Sequence, residues 1–310
     1  MGVHVFRSAG MLEALFQRFG FQMKVAQITR GPLRGQLCAT RSAGGLLLQL
    51  TTNQCLSCSG NRNQRWLAIA LKQTDNLEMH RLRGEPVQPC SVQGFNRNLT
   101  ESIWQVSPHS HLSLLVVPVQ RILDLIALDP STTLQGVIDT SNVVTFQPRH
   151  FKTLKTFLLS REIHEAPARD TLDALLVECF MQPDNISDAG IPLSSRAELT
   201  NDLLNYGFSN PSTAISLKDL SKTLLKSSSS ITKASREQFG VSPMQLLKQI
   251  RLQQVQRLLM DPEQQHELGT HSISAIAQRF GFTAPNHFAR DYRRMFWESP
   301  RQTLKLNGAA

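Results

Sequence analysis

The last third of the chain contains the same pattern of apolar, small and turn-forming residues twice. The first copy covers residues 215–243 and the second covers residues 271–300. The aligned positions are Leu220 with Ile276, Ser221 with Ala277, Leu224 with Phe280, Phe239 with Phe296, and Ser242-Pro243 with Ser299-Pro300. Because a segment repeated in this way marks a supersecondary unit, this part of the chain is restricted to two similar units that follow one another.

Each copy has the start and turn signals of two short helices. Ser216 followed by Asp219 forms a capping box, which starts the first helix. Gly281 tolerates the positive φ angle of a tight turn in the second copy. Ser227 and Thr283 are expected N-cap residues for the helices that follow the turns. Two helices joined in this way predict a helix-turn-helix, whose second helix fits the major groove of DNA.

The charge distribution favours a polyanionic partner over a plain helical bundle, which would show the same helix signals. The chain has a formal net charge of +9, and residues 196–310 hold 15 Lys and Arg against 9 Asp and Glu. Cationic side chains release the counterions condensed on phosphates, which favours binding to nucleic acid. Charge alone does not separate DNA from RNA, from an anionic membrane, or from a merely solvated basic surface.

A longer motif runs through the second copy. It reads Ile276-Ala-x3-Gly-Phe282, then His287-Phe-x-Arg290-x-Tyr-Arg-Arg-x-Phe296-x-x-Ser-Pro300. Between the copies, Gly240-x-Ser-Pro243 precedes Arg251-Leu-x2-Val-x2-Leu-Leu259. These motifs resemble those of the AraC/XylS-type transcription regulators, in which a long helix joins two helix-turn-helix units. The resemblance covers about residues 200–305 and implies a DNA-binding regulator.

The resemblance also implies which residues meet DNA. The second helix of each unit would present, in the first unit, Ser228, Ser229, Thr232 and Lys233, and, in the second, Pro285, Asn286, His287 and Arg290. Asn pairs with adenine, Lys and Arg pair with guanine or phosphate, and Ser or Thr serves either. We expect Arg236, Arg293 and Arg294 to contact phosphates and to fix the register of binding. The alternatives are solvated charges for the cations and a packing role for His287.

Three positions depart from the family pattern. Ser235 stands where the family has an aromatic core residue, Leu225 replaces the turn glycine of the first unit, and Trp297 replaces the glycine before the second Ser-Pro. The run 227–230 consists of serines, which make a weak helix interior and a good hydrogen-bonding surface. We therefore expect the first unit to be less stable, or less base-specific, than the second.

The first 120 residues contain short apolar runs separated by turn residues, which predict strands. The expected strands are residues 21–28, 35–38, 45–50, 66–71 and 112–117. The spacing of the turns is typical of sandwiches and small barrels. After Pro118 the apolar residues recur at three- and four-residue intervals, which predicts helices over residues 119–128, 149–158 and 168–181. Strands followed by helices are similar in order to the cupin-like sensing and dimerisation domain of the family.

The expected fold class is therefore α+β. We predict a β-rich cupin-like domain with following helices in residues 1–182, a polar linker in residues 183–200, and an all-α domain in residues 201–310. The all-α domain contains two helix-turn-helix units joined by a linker helix. The expected partners are double-stranded DNA, a small-molecule effector at the N-terminal domain, RNA polymerase and a second copy of the chain. An alternative also stays open, in which the protein binds DNA but its N-terminal domain contacts another protein and senses no small molecule.

A metal-binding cupin-type enzyme is the alternative from a different class. His109-Ser-His111 resembles the HxH pair of such enzymes, but residues 113–120 contain no Asp or Glu that could complete the site. Cys55 and Cys58 form a CxxC pair without a second pair at zinc spacing, so two structural cysteines are favoured. We therefore expect no enzyme activity, no metal and no cofactor.

Neither a secretion signal nor a membrane span is expected. The longest apolar stretch, residues 112–119, is far shorter than the about 20 residues that a bilayer requires, and residues 1–30 lack the apolar region of a signal peptide. The five cysteines are an odd, sparse set, which favours a reducing compartment. We therefore expect a cytoplasmic protein.

Overall fold

The computed structural model describes residues 2–42, 44–128, 134–160, 168–181, 183–187, 193–212, 215–270 and 272–307. The strands are β1 (Gly2–Phe6), β2 (Met23–Gln27), β3 (Gly35–Ser42), β4 (Gly45–Thr52), β5 (Leu56–Asn61), β6 (Trp66–Lys72), β7 (Arg81–Leu82), β8 (Glu85–Pro86), β9 (Ser91–Gln93), β10 (Glu101–Val106), β11 (Ser110–Pro118), β12 (Val143–Phe146) and β13 (Pro183–Ser187). The helices of the first half are α1 (Ala9–Arg18), α2 (Val119–Leu128), α3 (Leu134–Thr140), α4 (Pro148–Leu159) and α5 (Ala168–Met181). Those of the second half are α6 (Ser195–Ser209), α7 (Leu217–Thr223), α8 (Ser228–Phe239), α9 (Pro243–Leu259), α10 (Pro262–Glu267), α11 (Ile273–Arg279), α12 (Pro285–Phe296) and α13 (Pro300–Asn307).

Two antiparallel sheets form the N-terminal part. The larger has the strand order β1-β3-β4-β11-β6-β9-β12-β13, and the smaller has the order β2-β5-β10-β7-β8. A core that includes Phe6, Leu12, Leu37, Leu56 and Val106 joins both sheets to α1. The α+β fold class is therefore confirmed, with the β-rich part first and the helical part second.

The central strands of the larger sheet are covered on both faces, which explains their continuous apolar runs. In β6 the large side chains of Leu67, Ile69 and Leu71 belong to a core shared with α2, α3, α4 and α5. The alternating residues Ala68 and Ala70 are small and line a cavity between the two sheets. Because side chains of a strand alternate between faces, the same strand supports a dense core on one side and leaves space on the other.

The strands expected from the sequence are confirmed as β2, β3, β4, β6 and β11, and the three expected helices are confirmed as α2, α4 and α5. Within the predicted linker 183–200, most of the described residues belong to a strand or a helix. Residues 183–187 form β13, which pairs with β12, and α6 begins at Ser195. The domain boundaries themselves stay a prediction.

The C-terminal part contains two small helical cores joined by α9. The first core contains residues of α6, α7, α8 and the first half of α9. The second contains residues of α11, α12 and the second half of α9. The first core also includes Ala26, Ile28 and Cys55 of the N-terminal part, so it extends across the junction between the two parts.

Helix α9 is also bound to the edge strand β2 of the smaller sheet. The side chain of Gln253 donates a hydrogen bond to the carbonyl oxygen of Gln27 (2.9 Å). It also accepts a hydrogen bond from the backbone N–H of Gln27 (2.7 Å). Arg257 forms an ion pair of 2.5 Å with Glu13 of α1. An edge strand presents backbone groups without a neighbouring strand, and here a glutamine of α9 satisfies two of them.

Candidate nucleic-acid interface

The first unit consists of α7, a turn and α8. Ser216 caps α7, because its side chain accepts a hydrogen bond from the N–H of Asp219 (3.2 Å) and donates one to the Asp219 carboxylate (2.6 Å). These bonds lower the pKa of Asp219. Ser227 caps α8 by accepting from the N–H of Ser230 (3.1 Å). Both caps expected from the sequence are therefore confirmed.

Helix α8 exposes only some of its predicted DNA contacts. Ser229, Lys233 and Arg236 are exposed, whereas Ser228 and Thr232 are half-buried. The Thr232 hydroxyl donates to the Ser228 carbonyl oxygen (2.8 Å), so this donor is already used within the helix. Among the predicted contacts of α8, the exposed cationic groups are therefore Lys233 and Arg236.

Ser235, which replaces the aromatic residue of the family pattern, is fully buried. Its hydroxyl donates a hydrogen bond to the carbonyl oxygen of Val241 (2.8 Å), just before α9 begins. A buried hydroxyl needs such a partner. The small residue thus links the end of α8 to the start of α9.

Leu225 lies in the turn between α7 and α8 with a φ angle of 52°, in the left-handed region, and its side chain is 87% exposed. The side chain therefore contributes little burial, while its Cβ strains the backbone.

We expect Leu225→Gly to raise the free energy of unfolding of the first unit by about 0.5–1 kcal/mol, because glycine removes this strain. Thermal unfolding of the full chain measures the change. Lys226→Gly is the matched control, since Lys226 is not among the residues with positive φ, and it should lower stability. A lower melting temperature for Leu225→Gly would contradict the prediction.

The second unit consists of α11, a turn and α12. Gly281 occupies the turn with a φ angle of 76°, as the sequence predicts. The N-cap of α12 is Ala284, without a side-chain hydrogen bond, so the expectation that Thr283 caps this helix is wrong. Pro285 follows at the first helical position. Proline lacks an N–H and has a helical φ angle, so this helix starts with one fewer donor to satisfy.

The exposed face of α12 gathers the predicted DNA contacts. Its exposed residues are Pro285, Asn286, His287, Arg290, Arg293 and Arg294. Asn286, Ala289, Arg290, Arg293 and Arg294 line one shallow depression of about 430 Å³. Positions four and seven or eight apart lie on one side of a helix. The side chain of Asn286 and the three guanidinium groups therefore form a single surface.

The opposite face of α12 carries a row of buried aromatic rings that fixes this surface. The ring centroids of Phe288 and Tyr292 are 5.6 Å apart, and those of Tyr292 and Phe296 are 4.7 Å apart. The buried Tyr292 hydroxyl shares a hydrogen bond with the Thr303 hydroxyl (2.8 Å). Burial raises the pKa of Tyr292. Edge-on and tilted ring contacts, together with a satisfied hydroxyl, hold the helix in one orientation.

Two contacts of α12 were not anticipated from the sequence. Lys248 of α9 donates to the carboxylate of Asp291 (3.2 Å). The N–H of Gly31 in the N-terminal part donates to the carbonyl oxygen of Met295 (2.8 Å). Trp297, with a φ angle of 60° at the end of α12, lies close to Gly31. The residues of each pair are far apart in the chain, so no local sequence pattern predicts these contacts.

The residues of the enzyme alternative do not come together as a metal site. His109 lies in the turn before β11 with a φ angle of 53°, and His111 lies within β11, where burial lowers its pKa. Cys55 and Cys58 are buried, and burial raises the pKa of both thiols. In the part of the chain that the structure describes, no three His, Cys, Asp or Glu residues are grouped as metal ligands. Among the described helices, none is long and apolar enough to cross a membrane.

Comparison with known proteins gives matches to the same part of the chain. A helix-turn-helix domain family matches residues 220–306. The XylDLEGF operon transcriptional activator 2 of Pseudomonas putida is 31% identical over 98 residues, which are 32% of this chain and 60% of that protein. A probable AraC family transcriptional regulator from Rhodopseudomonas palustris CGA009 is 33% identical over 36% of this chain and 97% of that structure, with a TM-score of 0.31.

The C-terminal domain is an AraC/XylS-type helix-turn-helix domain. The family match begins at Leu220 in α7 and ends within α13, so the AraC/XylS-type domain includes both helix-turn-helix units and α9. A structure that covers more of the chain is that of the AraC-like transcriptional activator CuxR, which is 13% identical over 89% of this chain and 100% of that one, with a TM-score of 0.40.

Proposed function

We propose that the protein is a transcription regulator that binds double-stranded DNA through its AraC/XylS-type domain and a small-molecule effector through its N-terminal domain. The observation that carries DNA binding is the single exposed surface of α12 formed by Asn286, Arg290, Arg293 and Arg294. Amide and guanidinium groups on one face of a recognition helix match base edges and phosphates in the major groove.

The two recognition helices have unequal roles in this proposal. Helix α12 reads bases through Asn286 and Arg290, while Arg293 and Arg294 hold phosphates. Helix α8 mainly fixes the register through Lys233 and Arg236, because its Ser and Thr hydroxyls are partly used by the protein. Helix α9, with 17 residues, is about 25 Å long and sets the distance between the units.

The effector site is the cavity between the two sheets, with a volume of about 1290 Å³. Residues of α1 and β2 line this cavity, and the same two elements hold α9 through Glu13 and Gln27. An effector that moves α1 or β2 would therefore change the position of α9 and of the two recognition helices. In this proposal the protein also binds RNA polymerase and a second copy of the chain, and it works in the cytoplasm.

Fluorescence polarisation of labelled duplex DNA tests the DNA-binding part. Four phosphate contacts by Lys233, Arg236, Arg293 and Arg294 would make affinity fall by about a hundredfold between 50 and 200 mM salt. Arg149→Ala controls for the loss of an arginine outside the proposed DNA-binding surface. It removes an exposed arginine of α4 in the N-terminal part and should leave the affinity for duplex DNA unchanged. Absence of binding to any duplex at low salt would overturn the proposal.

A further inference from the structure

The cavity between the sheets has apolar walls. Phe16 of α1, Phe19 directly after it, Trp104 of β10, and Leu114 and Val116 of β11 contribute to them. Ligand cavities usually measure about 300–1,000 Å³, so a volume of about 1290 Å³ is large. The walls therefore suit an apolar body bigger than a single ring.

Three arginines line the cavity at one end. Arg41 lies near the end of β3, Arg62 follows directly after β5, and Arg18 is the last residue of α1. The end of β5 lies beside the start of β2, because Gly60 pairs with Met23. The end of β11 pairs on one side with the start of β6 and on the other side with the start of β4. The start of β4 belongs to the β3–β4 hairpin, which carries Arg41. The strand register thus brings the three arginines to the same end.

Within the described part of the chain, these arginines have no acidic partner. No Asp or Glu is among the residues that line the cavity. None of the ion pairs within 4.0 Å involves Arg18, Arg41 or Arg62. Burial and the neighbouring Arg83 lower the pKa of Arg62 to about 10. A bound anion would relieve this electrostatic cost.

Deeper in the cavity the polar groups are neutral. The side-chain N–H of Gln93 donates to Nε2 of His80 (2.7 Å), and both residues are buried. Burial lowers the pKa of His80 to about 3, so the ring is uncharged near neutral pH. The Gln93 oxygen Oε1 has no hydrogen-bond partner among the described residues. The interior therefore offers an acceptor for a ligand donor and no charge to attract a second ion.

We infer that this cavity binds an organic carboxylate with a large apolar body, which lies between Phe16, Trp104 and Leu114 while its carboxylate lies at the arginine end. The inference rests on the proposed effector site and specifies the chemistry of the effector. Guanidinium groups bind carboxylates through two parallel hydrogen bonds, which a neutral or cationic head group cannot replace.

Isothermal titration calorimetry of the full chain tests the inference with three probes that share a ten-carbon body. These are decanoate and decyltrimethylammonium, each below its critical micelle concentration, and decanol, below its solubility limit. We expect decanoate to bind at least tenfold more tightly than either of the other two, at one site per chain. Equal binding of decanol, or no binding of decanoate, would overturn the inference.

Arg62→Met is the informative variant, because methionine keeps much of the apolar stem and removes the charge. It should weaken decanoate at least tenfold and leave decanol unchanged. Arg65→Met is the matched control, since Arg65 is exposed in the same connection and does not line the cavity. Circular dichroism verifies that each variant is folded. If Arg62→Met does not fold, Arg62→Lys replaces it and should weaken decanoate more than decanol.

Duplex DNA binding by the unliganded protein separates this inference from the proposed function. If the protein binds DNA and only neutral or cationic probes bind the cavity, the inference of a carboxylate ligand is wrong and the regulator proposal stands. If decanoate binds while no duplex DNA is bound at low salt, the carboxylate site stands and the regulator proposal is wrong.

Discussion

Replacing Arg290 with alanine is expected to weaken binding to the preferred duplex by about 1–3 kcal/mol, or roughly 5- to 150-fold. The guanidinium is exposed on α12 and lies with Asn286 in one depression. Its nearest carboxylate, on Asp291, is 4.0 Å away and also pairs with Lys248. Arg290 is therefore available for the two-bond contact that guanidinium makes with guanine.

Selection from a random duplex pool provides the preferred sequence, and polarisation with wild type and variant measures the loss. Arg290→Ala should also relax the preference at one base position. Arg293→Ala should instead weaken all duplexes by a similar factor and reduce the salt dependence by about one ion. If Arg290→Ala weakened all sequences equally, Arg290 would be a phosphate contact and the assignment of base readout to this residue would be wrong.

Replacing Gly281 with alanine is expected to lower the free energy of unfolding of the second unit by about 2–4 kcal/mol. The φ angle is 76°, and a Cβ at this position would lie 2.6 Å from the backbone oxygen of Ser212. Strain in the left-handed region contributes about 1 kcal/mol or more of this loss. The contact with a backbone atom contributes the rest, because neither side can yield without moving the turn.

Gly240→Ala separates these two costs. Gly240 has a φ angle of 71°, and a Cβ there would meet no atom within 4 Å. The control should therefore lose only the strain, about 1 kcal/mol. Thermal and denaturant unfolding of both variants measure the difference. Equal losses would mean that the turn adjusts to the new methyl group and that the close approach to Ser212 has no energetic consequence.

Local sequence signals predicted the helical units well because their causes are local. The cap at Ser216, the cap at Ser227 and the turn glycine Gly281 depend on residues within a few positions of one another. The five expected strands and three expected helices follow from periodicity, which is also short-range. Thr283 was a wrong choice for the N-cap because Pro285 starts α12 one residue later than the repeat suggested.

Some elements of the N-terminal part were not predicted. Helix α1 is amphipathic, with Leu12, Leu15 and Phe16 buried, but it is only ten residues long and follows a five-residue strand. β13 lies in a polar stretch and is a strand through its pairing with β12. A polar segment of this kind forms a strand only when a partner strand lies beside it, so pairing outweighed propensity.

The sequence by itself determined that the chain contains two helix-turn-helix units and which residues of α12 are candidates for DNA contact. The repeat, the caps and the helical spacing fix which side of a short helix faces its core, and Phe288 and Tyr292 leave Asn286 and Arg290 on the outside. Only the tertiary structure decided that Ser235 serves as a buried link and that the N-terminal part holds α9. These features depend on pairs such as Gln27 with Gln253, which are 226 positions apart. Their contact energy depends on how the whole chain packs, so no local pattern in the sequence can express it.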